Sequence, residues 1–293
     1  MNEAGVLPSS PNSQVITQMG TKLQNTACKF IDDLSALAAI KLRPNIQKSS
    51  SLDRPLEYHS RTGHVLPDEV NPLIPQLKQI EEFTVKNQMR LNTEKTKIMI
   101  FNRSTKFDFK PNIYLNNQLL DVVKSTKLLG VIISSNLKWN LNVQHIGEKF
   151  RKKLWSLRRI KLMGGSIRDM LLVYKVQIRP VTETACPSWN GSLTKENIEN
   201  LEKLQKLALR IILESKYISY ENALKVLNLT TLKVRRDKLC LSFARKTEKN
   251  EKYRPWFKKT PNTRSNTQFT NNYARTTAYQ KSPIPYLVNL LNK

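Results

Sequence analysis

Between residues 149 and 161 the chain carries Lys149, Arg151, Lys152, Lys153, Arg158, Arg159 and Lys161, interleaved with Phe150, Leu154 and Leu157. Cations around apolar residues at three- and four-residue spacing suit a helix that packs one side and offers the other to phosphates. Such contacts are independent of base sequence, because the backbone carries none. A solvated basic face is the blander reading of the same seven residues. Other residues with chemistry to offer are sparse. Asp32 and Asp33 are adjacent carboxylates in the apolar stretch 27–34. Cys28, Cys186 and Cys240 include no C-x-x-C pair, and His59, His64 and His145 add no metal-ligand spacing to them. Free, buried thiols in a reducing compartment follow as the expectation. Trp139, Trp155 and Trp189 each sit within an apolar pattern, so they are expected to pack in a core rather than stack on bases.

The formal net charge is +26, and its distribution is uneven. Residues 1–92 hold 10 Lys and Arg against 9 Asp and Glu, whereas residues 93–293 hold 39 against 14. Solubility asks for a net charge of only about 2–8 in a small domain, so the excess points to a polyanionic partner. Nucleic acid, as RNA, DNA or an RNA–DNA duplex, is the expected one. No apolar run approaches the ~20 residues that span a bilayer, and no basic-then-apolar leader opens the chain. A soluble, intracellular protein without a membrane partner, in nucleus or cytoplasm, is therefore expected.

The elements that must position these residues are legible in outline. Residues 1–27 are irregular, and 41–72 form a Pro-, Ser- and Arg-rich loop. A helix is predicted from Leu73 to Gln88, then strands at 97–101, a hairpin of 113–115 and 118–123 about Asn116-Asn117, and a strand from Lys127 to Ser134 with Gly130 in its middle. The basic helix follows, lined by Val143, Ile146, Phe150, Leu154 and Leu157 and ended by Gly164-Gly165. Ser166 and Asp169 suggest a capping box for a helix that stops at Pro180. Thr194 caps another, with Ile198, Leu201, Leu204, Ala208 and Ile211 as its stripe. Shorter helices are predicted over 219–227 and 230–246. Residues 247–282 read as a flexible basic tail, with Ile284–Leu291 able to dock as a short helix.

Several strings of residues share an order with a known family. Phe30-Ile31-Asp32-Asp33 resembles the F-x-D-D hairpin of reverse transcriptases. Asn92-Thr93-Glu94-Lys95-Thr96-Lys97 resembles the lysine-bearing loop that follows it, and Leu128-Leu129-Gly130-Val131-Ile132 resembles the primer-grip strand. Arg179-Pro180, Cys186-Pro187-Ser188-Trp189, Leu204 to Ile212 and Ser219 to Leu224 continue the string. Together these resemble the C-terminal region of reverse transcriptases encoded by non-LTR retrotransposons, jockey-type elements above all, from about Lys29 onward. The resemblance implies an α+β fold. After an irregular segment (1–27) would come a partial palm (28–139) of short antiparallel strands plus a helix. A basic helical thumb (140–246) and a flexible basic tail (247–293) would follow. It implies an RNA-directed DNA polymerase in which Asp32 and Asp33 hold Mg²⁺, Lys95 lies near the departing pyrophosphate, and Leu129, Gly130 and Val131 grip the primer. The seven cations would follow the template–primer duplex, within a ribonucleoprotein containing the element's RNA.

One departure from the family pattern shapes the functional expectation. Two-metal chemistry draws on a further aspartate well before the hairpin, with a P-Q-G loop between them. Here the residues before Asp32 include a single acid, Glu3, and no P-Q-G. The chain is accordingly expected to bind Mg²⁺ weakly and nucleic acid through the thumb, without polymerising by itself. Two other readings stay open at this point. One is an active reverse transcriptase whose palm is completed by further sequence. The other is a basic RNA- or DNA-binding interaction protein.

Overall fold

The computed structural model describes residues 27–29, 34–36, 73–88, 91–101, 112–260, 268–270 and 273–293. The chain divides into two compact units, one up to Gly130 together with 135–137, the other comprising Val131–Ser134 and the chain from Lys138 onward. The described residues combine many helices with a few short strands, an α+β composition.

In the first unit, β1 (Ala27–Lys29) and β2 (Leu34–Ala36) pair antiparallel, with Lys29 opposite Leu34. Asp32 and Asp33 belong to the four-residue connection between them and lie outside the described residues. Helix α1 (Leu73–Lys86) matches the predicted one. The predicted strand at 97–101 is reduced to β3 (Lys97–Ile98), which pairs in parallel with β6 (Asp121–Val122). Across that pair Lys97 Nζ lies 2.6 Å from Asp121 Oδ2. The hairpin of β4 (Tyr114–Leu115) and β5 (Gln118–Leu119) turns on Asn116 and Asn117, as expected. Both turn residues have positive φ, 49° and 60°, the geometry whose twist suits a tight hairpin and which asparagine tolerates. Glu81 of α1 accepts the Asn116 amide at 2.9 Å. Ile98, Ile113, Leu115 and Leu120 are buried, with Leu77, Leu91 and Ile100 packed on them.

The predicted strand over 127–134 is instead a hairpin, β7 (Ser125–Leu128) and β8 (Val131–Ser134). Leu129 and Gly130 form its two-residue turn, at φ 48° and 84°. An apolar run holding one glycine reads as a strand interior in sequence, but this glycine uses its freedom to reverse the chain.

The second unit is helical: α2 (Asn140–Leu162), α3 (Ile167–Val173), α4 (Cys186–Trp189), α5 (Lys195–Leu213), α6 (Tyr220–Val226), α7 (Leu232–Glu248), α8 (Thr277–Gln280) and α9 (Pro283–Leu291). Its core joins Phe150, Leu154 and Leu157 of α2 to Leu201, Leu204, Ala208 and Leu209 of α5, with Leu232, Cys240 and Ala244 of α7. The caps follow the sequence. Ser166 and Asp169 form a reciprocal capping box, and the Ser166 hydroxyl and amide hold the Asp169 carboxyl below its usual range. Thr194 Oγ1 accepts the Asn197 amide at 3.1 Å. After α3 the chain widens into a π-helical turn over Tyr174–Ile178 before a 3-10 turn that contains Pro180.

Residues 247–293, expected as a flexible tail, fold in their described part. Phe257 and Phe269 are buried and meet edge to face, with ring centroids 6.3 Å apart. Asn292 accepts the Phe269 amide at 2.9 Å and donates to its carbonyl at 2.8 Å. Helix α9, the predicted docking segment, buries Pro285, Leu287, Val288 and Leu290. Low aliphatic content concealed two phenylalanines that anchor an otherwise polar stretch.

Gly164 and Gly165 end α2 with the predicted C-cap. Gly164 takes φ 76° and donates to the Lys161 carbonyl, and Gly165 donates to the Ile160 carbonyl, both at 2.9 Å. A Cβ on Gly165 would lie 2.9 Å from the Ile160 carbonyl oxygen and 2.3 Å from Ile160 Cγ2. Gly165→Ala is therefore expected to cost about 1–2 kcal/mol in a urea titration, by overpacking a fixed backbone contact. An unchanged midpoint would show that the turn opens freely.

Candidate nucleic-acid interface

Helix α2 is 23 residues long and strongly two-sided. Asn142, Val143, Ile146, Gly147, Phe150, Leu154 and Leu157 are its buried side. No acid stands in its first turn, and Trp139 at its N-cap makes no side-chain capping bond. Its start is held from outside instead: Asn142 Oδ1 accepts the Ile132 amide of β8 at 3.1 Å, and Asn140 Oδ1 accepts Asn197 Nδ2 of α5 at 2.9 Å.

All seven predicted cations are exposed. They do not form one uniform row. At 100° per residue, Arg151 and Arg158 fall on one flank, Lys152 and Arg159 on the outermost line, and Lys149 and Lys153 on the opposite flank. Two of the seven are engaged within the protein. Lys153 Nζ donates to the Gln177 carbonyl at 2.8 Å, in the π-helical turn. Lys161 forms an ion pair with Glu214. The Arg151 guanidinium lies over Gly147, where an added Cβ would come within 3.3 Å of it. Among the described residues, Lys149, Arg151, Lys152, Arg158 and Arg159 have no carboxylate within ion-pair distance.

Sequence reasoning missed three features here. Trp155, expected in the core, is 65% exposed, on the flank of Arg151 and Arg158. Its spacing from Phe150, five residues, turns it away from the buried side, and the apolar composition of the segment hid this. Trp189 is fully buried and Trp139 packs partly against the core, as expected. The second feature is an open groove of about 510 Å³ where the end of α2 meets that of α5, lined by Arg158, Lys161, Leu162, Arg210, Ile211 and Glu214. The third is a smaller hollow of about 350 Å³ on α7, lined by Lys238, Leu241, Ser242, Arg245, Lys246 and Lys249. Its signal was present in the sequence as cations recurring at three- to four-residue spacing.

Of the other expected site residues, Lys95, Leu129 and Gly130 belong to the first unit and Val131 to the second. Lys95 is exposed in the turn before β3, its amide donating to Asn92 Oδ1 at 3.0 Å. Leu129 and Gly130 occupy the β7–β8 turn, with Leu129 half-exposed, and buried Val131 starts β8. Asp32 and Asp33, the expected Mg²⁺ ligands, lie outside the described residues. Among the described residues no group of three or more His, Cys, Asp or Glu could hold a metal ion. Cys186 and Cys240 are buried thiols with their sulfurs 3.9 Å apart. Donation to Cys186, together with burial, pushes the Cys240 thiol up.

No family model, curated protein or solved structure significantly matches the chain. No helix among the described residues is long and apolar enough to cross a membrane.

Proposed function

We propose that this chain binds the phosphate backbone of nucleic acid through the outer side of α2, and that it derives from a non-LTR retrotransposon reverse transcriptase. The observation that carries the binding is the separation of roles on α2. Seven exposed cations share one helix with a fully packed apolar side, and five of them have no acidic partner among the described residues. Release of the counterions condensed on a phosphate array drives such association.

The retrotransposon reading rests on the ordered motif string. In it the first unit is part of a palm, the helical unit a thumb along a template–primer duplex, Leu129–Val131 a primer grip at a hairpin tip, and Lys95 a phosphate contact. The antiparallel pairing of β1 with β2, the strands that precede and follow Phe30–Asp33 in sequence, supports it. Binding of purified chain to a labelled 20-base-pair RNA–DNA duplex over a salt series tests the proposal. Five contacts at ~0.9 each give a slope of log K against log salt near −4.5. A slope near zero removes the proposal.

A further inference from the structure

Trp155 is an exposed aromatic group on α2 that the backbone-binding reading leaves without a role. Its neighbours on the helix surface, three and four residues away in each direction, are Arg151, Lys152, Arg158 and Arg159. All four are exposed, and the one acid on the helix, Glu148, lies two turns back, where Gln144 donates to it at 3.3 Å. An indole left 65% open to water forgoes the stabilisation its burial would bring. Surrounded by four cations, it is also poorly placed to pack on another apolar surface, since those charges would lose their hydration. A partner that brings both flat aromatic faces and negative charge satisfies the whole group at once.

Resting on the nucleic-acid reading above, we propose that Trp155 stacks on an unpaired base, and that the α2 face selects single-stranded nucleic acid over a blunt duplex. Bases within a duplex are already stacked and present no free face, whereas an unpaired base offers one to an indole regardless of its identity. Arg151, Lys152, Arg158 and Arg159 hold the flanking phosphates. The groove beyond Arg158 supplies Arg210 as a further cation, and the exposed Leu162 continues the apolar flank one turn past Arg158.

The test compares full chain and its Trp155→Ala and Trp155→Phe variants at fixed low salt with three probes. These are a labelled 12-nucleotide single-stranded RNA, an abasic oligonucleotide of the same length, and a blunt 20-base-pair RNA–DNA duplex. Trp155→Ala is expected to weaken the base-bearing strand about tenfold, as for the loss of one stack, while the abasic strand and duplex hold their affinities. Trp155→Phe restores most of the loss. Equal losses on all three probes, or none on the RNA, overturn the stacking proposal while leaving backbone binding in place. Failure of the unaltered chain to bind any probe overturns both. A concentration-dependent dimer in sedimentation that Trp155→Ala abolishes would instead assign the indole to a second copy of this chain, and also overturns the proposal.

Discussion

Changing Lys149, Arg151, Lys152, Arg158 and Arg159 together to alanine is expected to remove nearly all salt dependence from duplex binding. The five are exposed, and among the described residues they have no acidic partner, so their loss leaves no orphaned charge inside the protein. Alanine has the best helix propensity, so α2 keeps its 23 residues and its packed side. If each cation meets one phosphate, the affinity ratio of parent to variant falls by about 500-fold between 50 and 200 mM salt, from a slope difference near 4.5. Lys153→Ala with Lys161→Ala serves as the internal comparison. Lys153 is committed to the Gln177 carbonyl and Lys161 to Glu214, so this pair should change the slope by less than about one unit. Equal effects from the two variants would mean that total charge, not the α2 surface, governs binding. An unchanged slope in the fivefold variant would remove α2 from the interface altogether.

What the sequence disclosed about this interface was its charge and its helix, and the reason is local. Helical spacing of Phe150, Leu154 and Leu157, a Gly-Gly end and a Ser-x-x-Asp start are written within a few residues of where they act. The engagement of Lys153 was not legible, because it depends on a carbonyl that a π-helical turn places beside it from 24 positions along the chain. The same holds for Lys161 and Glu214, which meet only because the ends of α2 and α5 lie together. The exposed Trp155 was misassigned by composition, although counting 100° steps from Phe150 puts it about 140° away from the buried side. The 127–134 hairpin shows the opposite ambiguity. Leu-Gly at the centre of an apolar run fits a strand or a two-residue turn equally well, and only the positive φ angles of Leu129 and Gly130 decide it.

The buried polar network under the helical unit was invisible in sequence, and it supports the largest expected effect on stability. Arg236 is fully buried; its Nε donates to Asn190 Oδ1 at 2.8 Å and its guanidinium lies 5.7 Å from the Trp189 ring centre. Burial lowers the Arg236 pKa, and its Nη1 and Nη2 have no hydrogen-bond partner among the described residues. Asn190 Nδ2 reaches Asp237 Oδ1 at 2.9 Å and the Tyr286 hydroxyl at 2.8 Å, while Tyr286 donates to the same Asp237 oxygen at 2.6 Å. One amide thus joins the turn after α4 to α7 and to α9. Asn190→Ala leaves a third orphaned nitrogen on a buried cation and removes a donor from Asp237. The expected cost is about 3 kcal/mol in urea unfolding, two of the three contacts being to charged groups. Hydrogen exchange over 283–291 should accelerate first, because α9 loses its polar tie while its apolar contacts remain. Tyr286→Phe removes one hydroxyl and is expected to cost about 1 kcal/mol. The double variant should lose less than the sum, since both side chains act on Asp237. Strict additivity, or a cost under about 1 kcal/mol for Asn190→Ala, would show that water replaces the amide and that α9 is held by its leucines and valine alone.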